Sequence, residues 1–119
     1  MNKKNLNKEE VQDIATYFNE EPLFNKVIIT LNTEVADGNL VLSDNSMDDI
    51  QYVVAKGSSV HNLEVGQKVR VDLEKLMVSR QVRDNSHESS PRLQIDPIEF
   101  EGVTYMIIED RFIKTKFKN

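Results

Sequence analysis

The stretch QIDPIEFEGVTYMIIEDRFIKTKF, residues 94–117, decides the fold class. Two runs rich in β-branched and aromatic residues, Gln94–Phe100 and Val103–Ile108, are separated only by Glu101 and Gly102. Glycine accepts the positive φ that a two-residue hairpin turn demands, so this spacing predicts an antiparallel hairpin. A third run, Arg111–Phe117, follows at once. The same pattern reaches back toward Leu23, with runs at Lys26–Leu31, Ile50–Ala55 and Lys68–Leu73 and shorter ones at Leu40–Leu42 and Leu76–Val78. Gly, Asn, Asp and Ser clusters punctuate them. Roughly six or seven short strands with such punctuation predict an all-β chain, a small barrel or sandwich.

One helix is expected ahead of the strands. Within Asn7–Asn19, Val11, Ile14, Ala15 and Phe18 recur at i, i+3, i+4 and i+7 and form a single apolar stripe. Asn7 is placed to cap the first turn, and Glu10, three residues on, to reach back to the cap residue's N–H. Pro22 closes the segment. A helix this short is marginal alone, so its stripe is expected to dock on the body or on a neighbouring subunit. Residues 1–21 therefore read as an N-terminal extension and residues 22–119 as one β domain.

The chain has 119 residues, 39% apolar and 29% charged, which suits one modest core. Self-association would add stability to a domain of this size. The formal net charge of -5 repels a phosphate backbone, so nucleic acid is not an expected partner. With no cysteine there is no disulfide, thiolate nucleophile or thiolate metal site. Met1–Lys8 lacks the apolar run of a secretory signal and no stretch approaches membrane-spanning length, so the expected location is the cytoplasm, with no membrane partner.

Two long segments carry no periodic signal. Asn32–Asp49 is polar apart from Val35, Ala36, Met47 and the triplet Leu40, Val41, Leu42; Ser79–Arg92 is dominated by Ser, Arg, Asp and Asn. Long loops in a compact domain are uncommon and usually functional or disordered.

Several ordered motifs carry a family likeness. Pro22-Leu23-Phe24-Asn25-Lys26-Val27-Ile28-Ile29 opens like the Pro-Leu, polar step and Val/Ile strand of the GroES-type co-chaperonins, and Gly38-Asn39-Leu40-Val41-Leu42 is similar to that family's Gly-Gly-Ile-Val-Leu loop. Val53-Val54-Ala55-Lys56-Gly57, followed by Leu63-Glu64-Val65-Gly66-Gln67-Lys68-Val69, and the ending Gly102–Ile113 also resemble family segments, in the same order. The chain thus resembles the family from about Pro22 to Phe117, less the second loop.

The resemblance implies a GroES-like small β-barrel with a mobile loop at about 32–49; the short N-terminal helix and a second long loop, an insertion at about 79–92, are extra to the family's pattern. It implies a seven-membered ring of copies that caps a chaperonin large subunit of the GroEL type. Gly38, Leu40, Val41 and Leu42 would be the partner-binding residues, and protein folding would be assisted without a cofactor or nucleotide hydrolysis. Burying three aliphatic side chains gives about 1.5–3 kcal/mol each, while ordering some ten loop residues costs roughly 1–2 kcal/mol apiece. On these figures one loop does not break even by itself, whereas several on a ring gain from raised effective concentration. The chain departs from the family in the short Ser58–Glu64 connection, which leaves no room for a roof hairpin, as in some phage-encoded relatives. It departs also at Gln67, which replaces an acid, and in Asp72–Val78. A phage origin would place the chain in the host cytoplasm.

Other readings compete with this one. A structural or accessory β-barrel, such as a virion component, would use Leu40–Leu42 as an ordinary strand in a core or subunit interface. Asp44, Ser46 and Asp48 have calcium-loop spacing, but Asp49 and Ala55 stand where the turn glycine and bidentate glutamate belong, so no metal is expected. His61 and His87 have no ligand-spaced partner. Arg80, Arg83 and Arg92 can grip an acidic group, and Lys114, Lys116 and Lys118 with Phe112 or Phe117 can form a single-strand platform. A solvated loop and a lysine-guarded strand edge are the simpler expectations for these two. No nucleophile, general base and acid fall into a catalytic arrangement, and no phosphate-cradling loop is present, so no enzymatic activity is expected.

Overall fold

A computed structural model describes residues 5–33, 35–36, 39–40, 47–78 and 96–118. Helix α1 (Lys8–Ala15) leads into strands β1 (Lys26–Thr30), β2 (Val35–Ala36), β3 (Asn39–Leu40), β4 (Ile50–Lys56) and β5 (Lys68–Val71). Helix α2 (Leu73–Val78) follows, then β6 (Pro97–Phe100), β7 (Val103–Glu109), a 3-10 turn at Asp110–Phe112 and β8 (Ile113–Lys116). The chain is mostly β: six strands form one antiparallel sheet in the order β6-β7-β1-β4-β5-β8, and β2 and β3 form a separate ribbon.

Alternation along the strands divides the core in two. Val27 and Ile29 of β1, Val53 of β4, Val69 and Val71 of β5, and Met106 and Ile108 of β7 point to one face and pack with Met47, Val60, Leu63 and Leu76. Ile28, Val54 and Tyr105, at the intervening positions, point to the other and meet Leu6 and Val11. β1 is therefore apolar at consecutive positions, because as a central strand it is buried on both faces.

The N-terminal extension belongs to the body. Asn7 and Glu10 form the expected reciprocal cap, each backbone N–H held by the other's side chain at 2.9 Å. The helix ends at Ala15, yet Phe18 continues its stripe by resting 4.7 Å from the Phe100 ring and 5.1 Å from Tyr105. Val11 is wholly buried, which contributes about 1.5–3 kcal/mol. Gly66, at φ +86°, lies so close beneath Gln12 that a Cβ would sit 2.7 Å from its side chain.

The turn between β6 and β7 has positive φ at both central residues, Glu101 (53°) and Gly102 (78°), as a type I′ hairpin requires. Asp96 O accepts from Ile107 N at 3.0 Å, which places Asp96 in a hydrogen-bonded pair and Pro97, its neighbour, with its nitrogen facing away from β7. Proline thus occupies the outward edge of β6, where its missing N–H denies a further strand a donor.

Three expected boundaries differ. The Lys68–Leu73 run stops pairing at Val71, and Leu76–Val78, expected as a strand, is part of α2. Asp72 explains both, since its carboxylate accepts from Lys75 N (3.1 Å) and its carbonyl from Leu76 N (3.3 Å) and so starts a helix. The Arg111–Phe117 run begins with the 3-10 turn. Gln94 and Ile95, expected in β6, lie outside the described residues, as does the Ser79–Arg92 insertion with Arg80, Arg83, His87 and Arg92. Among the described residues no helix is long and apolar enough to cross a membrane.

Candidate functional site

The segment at 32–49 has a built root. Thr33 bridges Met47, and Asp48 N donates to Asn32 O at 3.0 Å, so the two ends of the segment leave the sheet side by side. Met47 is 4% exposed and packs into the core with Val53 and Val71, which anchors the returning end.

Gln51 locks this root. It lies on the inward face of β4, in phase with Val53, and is fully buried. Its Oε1 accepts from Thr30 Oγ1 and from Asn32 N, both at 2.7 Å, and its Nε2 donates to Asn32 O (3.0 Å) and Asp48 O (2.6 Å). Thr30 Oγ1 in turn accepts from Tyr52 N at 3.0 Å. A buried amide whose two acceptor and two donor positions are all matched fixes the geometry around it, because any displacement leaves a polar group without a partner in low dielectric.

The N-terminal arm clasps the same root from outside. Asn32 Oδ1 accepts from Leu6 N and Asn32 Nδ2 donates to Leu6 O, both at 3.0 Å. One residue on, Asn5 makes the reverse pair with Thr33, Nδ2 to O at 2.9 Å and N to Oδ1 at 3.0 Å. Below the root, Asp49 O accepts from Val71 N at 2.7 Å and Asp49 Oδ2 meets Arg70 Nη1 at 3.1 Å.

Beyond the root stands the β2–β3 ribbon, in which Val35 pairs with Leu40 and Ala36 with Asn39. Of the expected partner-binding residues, Leu40 is the last of β3, and Gly38, Val41 and Leu42 lie outside the described residues. Asp44 and Ser46 also lie outside them.

The remaining candidates fall elsewhere. Phe117 lies under two cations, Lys68 Nζ at 4.9 Å and Arg70 at 5.4 Å from the ring centre. Lys114, Lys116 and Lys118 are exposed at the β8 edge, as expected for edge protection, and Lys116 Nζ donates to Asn62 O at 2.7 Å. His61 is exposed, and among the described residues no three His, Cys, Asp or Glu side chains cluster as metal ligands do.

Sequence reasoning missed the root residues Thr30, Asn32, Met47 and Gln51. A signal existed: Gln51 shares the parity of Val53 in an apolar strand, and a glutamine at an inward position must find hydrogen bonds there. Compared with known family models and with curated proteins, the chain matches none.

Proposed function

We propose that this chain is a non-enzymatic co-chaperonin lid, a GroES-like small β-barrel whose 32–49 segment presents Leu40, Val41 and Leu42, after Gly38, to a chaperonin large subunit of the GroEL type. Copies act together as a ring, a heptamer by the family resemblance, in the cytoplasm, or the host's if the chain is phage-encoded. The observation that carries the reading is the locked root at Thr33 and Met47. A segment bearing an apolar triplet is tied down at its base by a buried amide, which limits the entropy lost when its tip is ordered by a partner.

The test is capture of a chaperonin by the Val41→Asp chain. Capture is expected to fall at least tenfold while the far-ultraviolet spectrum stays unchanged, and undiminished capture would falsify the proposal. The pairing of Leu40 with Val35 favours a second reading, a structural or accessory β-barrel in which the triplet serves a strand or subunit contact. In that case Val41→Asp unfolds the chain or breaks its assembly, because a carboxylate is buried without a partner.

A further inference from the structure

Two rows of side chains cross β4, β5 and β8 on one face of the sheet. Tyr52 pairs with Lys68, and Phe117 N donates to Lys68 O at 2.9 Å, so Tyr52, Lys68 and Phe117 stand side by side. Ile50, Arg70 and Thr115 form the next row. Alternation makes this face: Val69 and Val71 point into the core, which turns Lys68 and Arg70 outward between the two aromatic strands. Helix α1 docks farther along the same face, where Val11 meets Val54. All six side chains of the two rows are half-buried or exposed.

The ring of Phe117 is held in place. Its backbone N–H is bonded to Lys68 O, and its carbonyl accepts from Gln67 Nε2 at 2.8 Å. Two cations crowd that ring, Lys68 Nζ at 4.9 Å and Arg70 at 5.4 Å from the centre. The ring quadrupole attracts each of them, but the two like charges repel one another. Asp49, 3.1 Å from Arg70, is the one acid that pairs with them among the described residues, and no carboxylate pairs with Lys68. Exposed Lys118 follows Phe117 directly. An anion seated here relieves the repulsion.

We propose that this face binds a single-stranded nucleic acid, with phosphates on Lys68, Arg70 and Lys118 and bases stacked against Phe117 and Tyr52. Sequence-tolerant single-strand binding combines these two components, cations for the backbone and rings for the bases. An acidic peptide uses the cations and leaves the rings idle. The net charge of -5 belongs to the chain as a whole, whereas residues 111–118 hold four cations and no acid. The structure also corrects the platform read from the sequence, in which Lys114 and Lys116 stood beside Phe117. Lys116 pairs with Val69, on the opposite face, and its Nζ is given to Asn62 O, so Lys68 and Arg70 take that place. The inference does not rest on the lid reading, since none of the binding residues lies in the 32–49 segment.

Fluorescence anisotropy of a labelled oligothymidylate of about 16 nucleotides, titrated with the full chain at about 50–200 mM salt, tests it. Affinity is expected to fall as salt rises, with a log–log slope of about −1.4 to −2.1, the value for two or three phosphates neutralised on a single strand. Lys68→Gln/Arg70→Gln is expected to weaken binding by about tenfold or more and to flatten that slope. Phe117→Leu is expected to weaken it by about fivefold or more with the slope unchanged, a separation that a general loss of fold does not produce. Lys116→Gln, on the other face, is expected to leave affinity almost unchanged. Absence of binding at about 50 mM salt overturns the proposal. So does a loss from Lys116→Gln as large as that from the Lys68 and Arg70 changes, which marks diffuse charge in place of a site. Full competition by polyglutamate at equal charge concentration assigns the cations to an acidic protein and overturns it too. Chaperonin capture by Val41→Asp is read separately, so either proposal can fail alone.

Discussion

Glu101 and Phe24 occupy the same left-handed backbone region for opposite structural reasons. At Glu101 the conformation belongs to a hairpin turn that places no demand on the side chain, so the residue is simply a poor choice for its geometry. Glu101→Asn is expected to raise stability by about 0.5–1 kcal/mol, because asparagine tolerates positive φ and Asn-Gly is the favoured type I′ pair. Chemical denaturation with an unchanged slope would verify it. At Phe24 the conformation is imposed by the packing of Gly57 and the Ser59 hydrogen bond, and relaxation there alters what the surface presents. Gly102 made the first turn legible in the sequence, whereas nothing beside Phe24 announced the second. Its cause is Gly57, more than thirty residues away in the chain.

Strand identity followed from alternation, and α1 from its stripe and cap, since each is written within a few consecutive residues. The failures share a cause. Leu73, Leu76 and Met77 have helical i, i+3, i+4 spacing, but the apolar run at Leu76–Val78 dominates over so short a window, and the decisive Asp72 cap is a single side chain. The root of the 32–49 segment was illegible because its order comes from pairings across 15 to 30 residues, Asn5 to Thr33, Thr30 to Gln51 and Asn32 to Asp48, which no local pattern encodes. Gln51→Leu is therefore a sharp test at this level. The change keeps approximate volume but removes the acceptor of the Thr30 hydroxyl and of Asn32 N and the Gln51 donor to Asp48 O, at about 1–3 kcal/mol for each polar group left unsatisfied. Loss of stability together with faster amide exchange at Asn32 is the expected result, and a neutral effect would show that water substitutes for the amide.

Across the whole molecule, charge is distributed unevenly. Five acids fall within residues 9–21, and four cations within 111–118. The described ion pairs lie at the surface, where screening keeps each modest. The Arg111 guanidinium, 2.6 Å from Glu109, holds that carboxyl below its ordinary range, and Lys26 at 3.5 Å adds to the effect. A carboxyl whose folded-state pKa is depressed contributes stability above the ordinary glutamate range and loses it as the pH falls through that range toward its lowered value. Denaturation midpoints should thus decline on acidification, and Glu109→Gln should make that decline shallower. An identical acid limb in both chains would show that this cluster has no role in it.

The bridge at Thr33 and Met47, with the buried amide behind it, insulates the sheet from whatever lies between. Replacing residues 34–46 with a glycine-serine tether of equal length is expected to leave the melting curve almost unmoved, since even doubling a closed loop costs only about 0.6 kcal/mol. Substitutions between the two ends are then expected to change what the stretch presents without changing the sheet that carries it.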